Sequence, residues 1–349
     1  MKVTFKNWNG GILLSKLTIR DIARMAGVSA TAVSFVLNGR EGVSDETRQK
    51  VQEIIRQTGF IPNVHTRRLS LGKSFTIHVV LRQYQYHLFN QFAQETLIGI
   101  FQASKQLGYS ILFTYVDDRM DCNQILESVR SKDCDGVILN QISDANLISQ
   151  LKRENIPFIC VDAHMKRDGS VPLVEVDYYD AAYRATEYLC NCGHRKIGFI
   201  GPENPSEYYV STFAGYSAAL KEHNLVCNPA WMPQIRNQEN PALEEIAQIL
   251  KQKELPTAFF CAGDAFAIDT LRCAKLCGLR VPEDISLMGL DDLLVSSYLD
   301  PALSTMTFEK ETLGMQAVEL LYRIMQGENP EAVNLIPTKL VVRDSVKML

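Results

Sequence analysis

Apolar positions along the chain follow two different periods. Between residues 18 and 59 they recur at helical spacing: Ile22, Ala23 and Ala26 share one face, Val33, Val36 and Leu37 a second, and Val51, Ile54 and Ile55 a third. From Phe75 onward, short runs rich in Val, Ile and Phe alternate with longer stretches of helical period. A first series of runs is Thr76–Leu81, Ser110–Tyr115, Gly136–Leu139 and Pro157–Val161, separated by helices such as Leu88–Leu107 and Asn146–Glu154. A second series is Val174–Val176, Lys196–Ile200, Ala258–Cys261 and Ile285–Met288, with helices near Asp180–Cys192, Ser211–His223, Ala242–Lys251 and Ala265–Cys277. Alternation of this kind predicts parallel sheets covered on both faces by helices, and two series predict two similar α/β lobes. Beyond Pro301, Leu303–Met306 reads as a strand, Lys310–Met325 as a helix and Leu335–Val342 as a strand.

Punctuation within the first segment is equally legible. Thr18 precedes the first helix with Asp21 three residues on, a capping box in which Asp replaces the usual Glu. Gly27 supplies the corner, Ser29 caps the second helix, Ser44 begins the third and Gly59 ends it. Ala23 is small, as two helices crossing steeply require at their contact. The pattern is that of a helix-turn-helix, and it leaves Ala30, Thr31, Ser34 and Phe35 on the outer face, where a recognition helix meets base edges. An ordinary pair of amphipathic helices would share that periodicity, so charge is needed to separate the two. Residues 1–73 carry 12 Lys and Arg against 5 Asp and Glu, whereas residues 74–349 carry 24 against 35, a split that the net charge of −4 conceals. A small basic module on an acidic body points to a polyanion gripped by the module alone, with salt-dependent affinity.

Several ordered motifs now carry a resemblance. Ile19-Arg-Asp-Ile-Ala23, Ala26-Gly-Val-Ser29, Ala32-Val-Ser-Phe-Val-Leu-Asn38, Val43-Ser44, Phe60-Ile-Pro-Asn63 and Arg67-Arg-Leu69 resemble the headpiece and hinge of the lactose/galactose repressor (LacI/GalR) family. A looser similarity runs to about Ser345. The organisation implied is an N-terminal extension (1–17), a helix-turn-helix domain (18–61), and a hinge helix with linker (62–74). Two lobes like those of type I periplasmic binding proteins follow, one of 75–173 plus about 304–333 and one of 174–303 plus about 334–349. The chain would cross between lobes near residues 173, 304 and 334. The function implied is that of a transcriptional regulator, a repressor that binds a palindromic operator in double-stranded DNA as a homodimer. A sugar or sugar-like molecule between the lobes would control it.

On the DNA side the resemblance makes Ala30 and Thr31 the base-reading pair, short side chains suited to a thymine methyl or a single hydrogen bond. Phe35 replaces the Arg of many relatives. Ser29, Ser34 and Asn38 fall at phosphate-positioning places, and Thr18 belongs to the same DNA-contacting set. Asn63 can cap the hinge helix, Arg67 and Arg68 would lie along the backbone, and Leu69 matches a leucine that relatives wedge into the minor groove. Packing against the partner copy is the other reading of Leu69.

Ligands in open parallel sheets sit beyond the carboxyl ends of the strands, and Asp117, Asp162, Asp264 and Asp291 occupy such ends. An Asp before a helix is also a good N-cap, and Asp264 fits that role as well as ligand contact. Gly289-Leu-Asp-Asp292 resembles the family's Gly-Phe/Tyr-Asp-Asp motif, whose first Asp holds the effector, and Asp162 matches a pocket position. Two departures stand out. Thr212 occupies the place of an Arg and Gly263 that of an Asn, both fixed points for a pyranose. Phe92, Tyr208, Phe308 and Trp231 are aromatic candidates for the pocket, each with core packing as its alternative.

Other classes are disfavoured. No Walker loop, G-x-S-x-G elbow, H-E-x-x-H or G-x-G-x-x-G occurs, so neither enzyme chemistry nor a cofactor is expected. The nine cysteines lack zinc-ligand spacing and read as reduced core thiols, with no metal. Gly11–Leu14 is too short for a signal-peptide core and no run is long enough for a membrane span, so the cytoplasm is the expected compartment. The alternatives retained are a regulator with a decayed pocket, constitutive or answering to a protein partner, and a solute-binding receptor.

Overall fold

The computed structural model describes residues 17–37, 41–60, 71–82, 91–116, 122–202, 207–233, 235 and 243–349, with only the backbone described at 91, 92 and 122. Asn38, Asn63, Arg67, Arg68, Leu69 and Asp117, and the side chain of Phe92, therefore lie outside the described residues. The chain divides into two compact units, Met1–Ser74 and Phe75–Leu349.

The first unit contains α1 (Ile19–Ala26), α2 (Ala30–Leu37) and α3 (Asp45–Thr58). Thr18 Oγ1 accepts from the Asp21 amide at 3.3 Å while the Asp21 carboxylate accepts from the Thr18 amide at 3.0 Å, so the capping box closes with Asp. Ser29 Oγ accepts from the Ala32 amide at 3.1 Å and Ser44 Oγ from the Thr47 amide at 3.3 Å. These bonds satisfy amides that a helix start leaves unpaired. Gly27 turns the chain between α1 and α2 at φ 64°, a conformation that costs glycine nothing. Ile22, Ala26, Val33 and Val51 are fully buried in the core between the helices, and Phe60 closes it from beyond α3.

The second unit alternates as the periodicity predicts: β1 (Thr76–Arg82), α4 (Gln91–Gln106), β2 (Ser110–Val116), α5 (Cys122–Arg130), β3 (Gly136–Asn140), α6 (Ala145–Arg153), β4 (Phe158–Val161) and β5 (Leu173–Val176). It continues with α7 (Tyr178–Asn191), β6 (Ile197–Ile200), α8 (Glu207–Glu222), α9 (Leu243–Leu250), β7 (Ala258–Cys261), α10 (Asp264–Leu276) and β8 (Ser286–Met288). Last come β9 (Thr305–Thr307), α11 (Lys310–Met325), β10 (Val333–Ile336) and β11 (Lys339–Val341). One sheet has the order β10-β5-β4-β3-β1-β2, all parallel. The other has β6-β7-β8, also parallel, and a bridge from Met288 to Ser304 joins it to the antiparallel pair β9 and β11. Helices α4 and α11 pack together on the first sheet and α7 and α8 on the second. Strands buried on both faces carry apolar residues at successive positions, which is why β3, β4 and β7 lack polar alternation; β1 buries His78 as well, its ring nitrogens paired with Ser128 and Thr114.

Three connections cross between the lobes, each a few residues later than the sequence indicates. β5 belongs to the first sheet, so the first crossing falls at Asp177 and not near 173. β9 belongs to the second sheet, so the second follows Thr307 and not residue 304. The run Leu335–Val342 is two strands in different sheets, with the third crossing at Pro337, which has no amide hydrogen to continue a ladder. Among the described residues no helix is long and apolar enough to cross a membrane.

Replacing Gly27 by Ala should destabilise the first unit by about 1 kcal/mol, the cost of a side chain in the left-handed region. Amide exchange should show lost protection in α1 to α3 and unchanged protection in β1 to β11.

Candidate functional site

Two places in the molecule carry polar chemistry that its own packing does not use up. In the first unit, Ser29, Ala30 and Thr31 are exposed at the start of α2 and Ser34 is half-buried one turn on. Phe35 differs from the outer-face reading. It is half-buried, and a Cβ placed on Gly42 would lie 3.3 Å from its ring, so Phe35 packs on the turn after α2. Thr18 is exposed, yet its hydroxyl is committed to the Asp21 carboxylate at 2.7 Å.

In the second unit the carboxyl ends of both sheets meet. Asp162 follows β4 and is buried, its Oδ1 accepting from Tyr178 Oη at 2.6 Å and its Oδ2 from Gln141 Nε2 at 3.0 Å. Tyr178 starts α7, so this bond links the first lobe to the second. Tyr178, Tyr208 of α8 and His164 form a cluster of rings, with centroids 4.8 Å apart for the two tyrosines and 5.3 and 5.0 Å from His164 to each. Tyr208 Oη donates to the Ala262 carbonyl at 2.9 Å. Asp291 is on the second lobe at φ 116°, a strained backbone for any residue with a side chain. A Cβ on Gly263 would lie 3.7 Å from Asp291 Oδ2 and 3.9 Å from Tyr208 Oη, which puts all three around one space.

Burial, then the charge of Asp264, pushes the Asp291 carboxyl well above the usual carboxylate range, with Asp162 adding to the shift and Lys310 opposing it. The same burial and the same acids hold the Tyr178 and Tyr208 phenols un-ionised. Glu175 is raised by burial and by Asp162, although Arg167 Nε donates to it at 2.7 Å.

The remaining candidates have structural roles. Asp264 is buried but neither caps α10 nor faces the cleft: Oδ1 accepts from Thr305 Oγ1 at 2.6 Å, and Oδ2 from Ser296 Oγ at 2.6 Å and the Leu293 amide at 2.8 Å. Burial raises it to about 6 against those three bonds. Gly289 is glycine because a Cβ there would lie 2.2 Å from Asp264 Oδ1. Thr212 is fully buried, with its hydroxyl returned to the Tyr208 carbonyl at 2.8 Å, so no donor replaces the family's Arg. Trp231 is buried, its carbonyl 2.9 Å from the place of a Cβ on Gly198 in β6, which makes it a packing residue. Phe308 is buried at the second crossing with Lys310 Nζ 5.0 Å above its ring. Sequence reasoning missed Gln141, His164, Tyr178 and Lys310. The available signal was their place one to three residues beyond a strand, where Asp162 itself was found.

Among the described residues, Asp162, His164 and Glu175 alone have metal-like proximity, with ligand atoms within 4.8 Å. Their carboxylates already accept from Tyr178, Gln141, Arg167 and the His164 amide, so the group is a hydrogen-bonded network. The described cysteines are unpaired and buried or half-buried.

Comparison with known proteins finds a match in each unit. Residues 18–63 match the bacterial regulatory proteins of the lacI family, and residues 186–346 match the periplasmic binding protein-like domain. The ribose operon repressor of Haemophilus influenzae is 32% identical over 336 residues, 95% of this chain and 99% of that one. The HTH-type transcriptional repressor PurR of Histophilus somni is 30% identical over 339 residues, again 95% and 99%. A crystal structure of the lac repressor dimer bound to operator and the anti-inducer ONPF superposes with a TM-score of 0.78 at 25% identity, over 95% of this chain and 100% of that one. A helix-turn-helix unit on a two-lobed clamp defines a DNA-binding transcriptional regulator. The chain belongs to the lacI family, and these relatives are repressors, not enzymes.

Asp264→Ala leaves two buried hydroxyls and a half-buried amide without their acceptor and should lower the unfolding free energy of the second unit by about 3 kcal/mol, checked by urea denaturation.

Proposed function

We propose that the protein represses transcription as a homodimer on a palindromic operator and that a small molecule held between its lobes changes operator affinity. The observation that carries this is geometric: Asp162 of one lobe accepts from Tyr178, whose ring packs on Tyr208, and Tyr208 and Asp291 of the other lobe face the same space beside Gly263, beyond the carboxyl ends of the strands. Lobe closure on a ligand is a hinge motion, and it biases DNA binding only as far as the ligand favours one lobe arrangement over the other. In this reading Asp162, Tyr208, Asp291 and Phe308 hold the effector. Asp264 and Thr212 support the loops that carry them. Ala30 and Thr31 read bases, Ser29, Ser34, Asn38, Arg67 and Arg68 take phosphates, and Leu69 wedges the operator centre. The protein acts where the DNA is, in the cytoplasm, and performs no catalysis.

Dimerisation draws support from an apolar surface on the first lobe. Ile98 and Phe101 share a face of α4, Phe113 and Tyr115 share a face of the edge strand β2, and each is about half exposed or more. Large exposed apolar side chains beside a sheet edge mark an association surface. The absence of a polar donor at Thr212 and Gly263 favours one other reading, a regulator without an effector.

Footprinting on the region upstream of the gene should reveal a palindromic protected site, and a screen of small molecules by thermal shift and operator release should find one that acts. A site bound but indifferent to every compound would favour the regulator without an effector. Phe101→Glu should convert a dimer to a monomer by analytical ultracentrifugation and abolish high-affinity operator binding. Thr31→Ala should weaken binding about fivefold at one base pair of each half-site and leave other sequences unchanged, the loss of one hydrogen bond. Leu69→Ala should reduce the operator bend angle measured by circular permutation.

A further inference from the structure

The charge of the interlobe cleft narrows what it accepts, an inference that rests on the effector-binding reading above. We propose that the effector is an organic cation: a primary or secondary amine on a hydroxyl-bearing or aliphatic frame, its ammonium seated between Asp162 and Asp291 against the ring of Tyr208.

The cations near the cleft are already engaged. Arg167 Nε is 2.7 Å from Glu175, Arg343 Nη2 is 2.7 Å from Asp292, and Lys310 Nζ is 3.8 Å from Glu95. Asp162 has neutral donors and the His164 ring at 3.6 Å. Asp291 is opposed to Asp162 and Asp264 and raised by both. The positions where relatives carry an Arg and an Asn hold a buried Thr212 turned into its own helix and a Gly263 with no side chain. An anionic ligand would meet the repulsion of Asp162 and Asp291 with only the field of Lys310 to offset it. A neutral sugar would supply hydroxyl donors but no charge to set against Asp291.

Two further observations favour an ammonium. Asn140 ends β3, beside Val161 in register and next to Gln141; it is 2% exposed and its Oδ1 has no hydrogen-bond partner among the described residues. That is an acceptor without a donor at the carboxyl end of an interior strand, next to the strand that Asp162 follows. The chain also sets one ammonium of its own in such surroundings, since Lys310 Nζ lies over the Phe308 ring and beside Glu95, at an open cavity of about 460 Å³ that Asp292 and Thr307 also line. A carboxylate on one side and an aromatic face on the other is the arrangement that binds ammonium groups. Because Asp162 and Asp291 come from different lobes, a cation relieves their repulsion only when the lobes are closed, which supplies the differential affinity a switch needs.

The test uses the full-length protein and matched pairs: glucosamine with glucose, galactosamine with galactose, putrescine with 1,4-butanediol, each followed by calorimetry and by operator release. The expected result is submillimolar binding of at least one amine, none of its neutral counterpart, and about a 30-fold loss of amine affinity in Asp291→Asn, the worth of one charged hydrogen bond. Should that variant fold poorly by circular dichroism, the wild-type protein still decides the matter, since amine affinity must fall as sodium chloride is raised. The proposal is overturned if no amine binds, if the neutral partner binds equally, or if salt has no effect. A neutral or anionic compound that alters operator affinity would overturn the cationic class and leave effector control intact.

Discussion

A buried carboxylate with three donors organises the second lobe. Asp264 begins α10, and its two oxygens draw in Thr305 from β9, Ser296, and the amide of Leu293. Its own amide donates to the Leu290 carbonyl at 2.7 Å. The loop from Gly289 to Ser296 is thereby fixed from both ends, and Asp291 is held in a backbone conformation it would not adopt alone. Removing a carboxylate from water is expensive, and only a full set of hydrogen bonds offsets that cost. The strand that carries Thr305 leads directly into the second crossing between the lobes, so the same cluster anchors the cleft and the hinge.

Across the cleft the chemistry is reversed. Asp264 is satisfied by the protein, whereas Asp291 is half-buried among like charges, with the Asp264 amide and the field of Lys310 in its favour. Asp162 lies between these extremes, held by Tyr178 and Gln141. One lobe thus presents a carboxylate already positioned, and the other presents one whose charge is costly until something neutralises it. In the proposed reading a ligand that completes the second site draws the lobes together, and the crossings at Asp177, Thr307 and Pro337 are where such a motion would be absorbed.

The first unit shows how little is required for a reading head. Three helices, four fully buried side chains and three helix-start hydrogen-bonding residues specify it. What remains on its surface at the start of α2 is small and polar, because the larger Phe35 is drawn onto Gly42. In the function proposed above, such a head meets base edges with Ala30 and Thr31 and leaves most of its affinity to phosphate contacts.

The sequence by itself determined the elements. Period, caps and turn residues are local, so α1 to α3, the alternation of strands and helices, and the closing of the capping box at Asp21 were all legible without contacts. The acids at strand ends were legible for the same reason. Tertiary structure alone decided their roles: Asp264 and Trp231 have partners far away in the chain, and no local pattern distinguishes a satisfied carboxylate from an unsatisfied one. The crossings were displaced because membership of a sheet is a long-range property, and the strand-like run Leu335–Val342 gives no sign that its two halves belong to different lobes. Tyr178, Gln141 and His164 became part of the site only when two sheets brought their carboxyl ends together, since the free energy of burying a charge depends on what surrounds it and not on its neighbours in sequence.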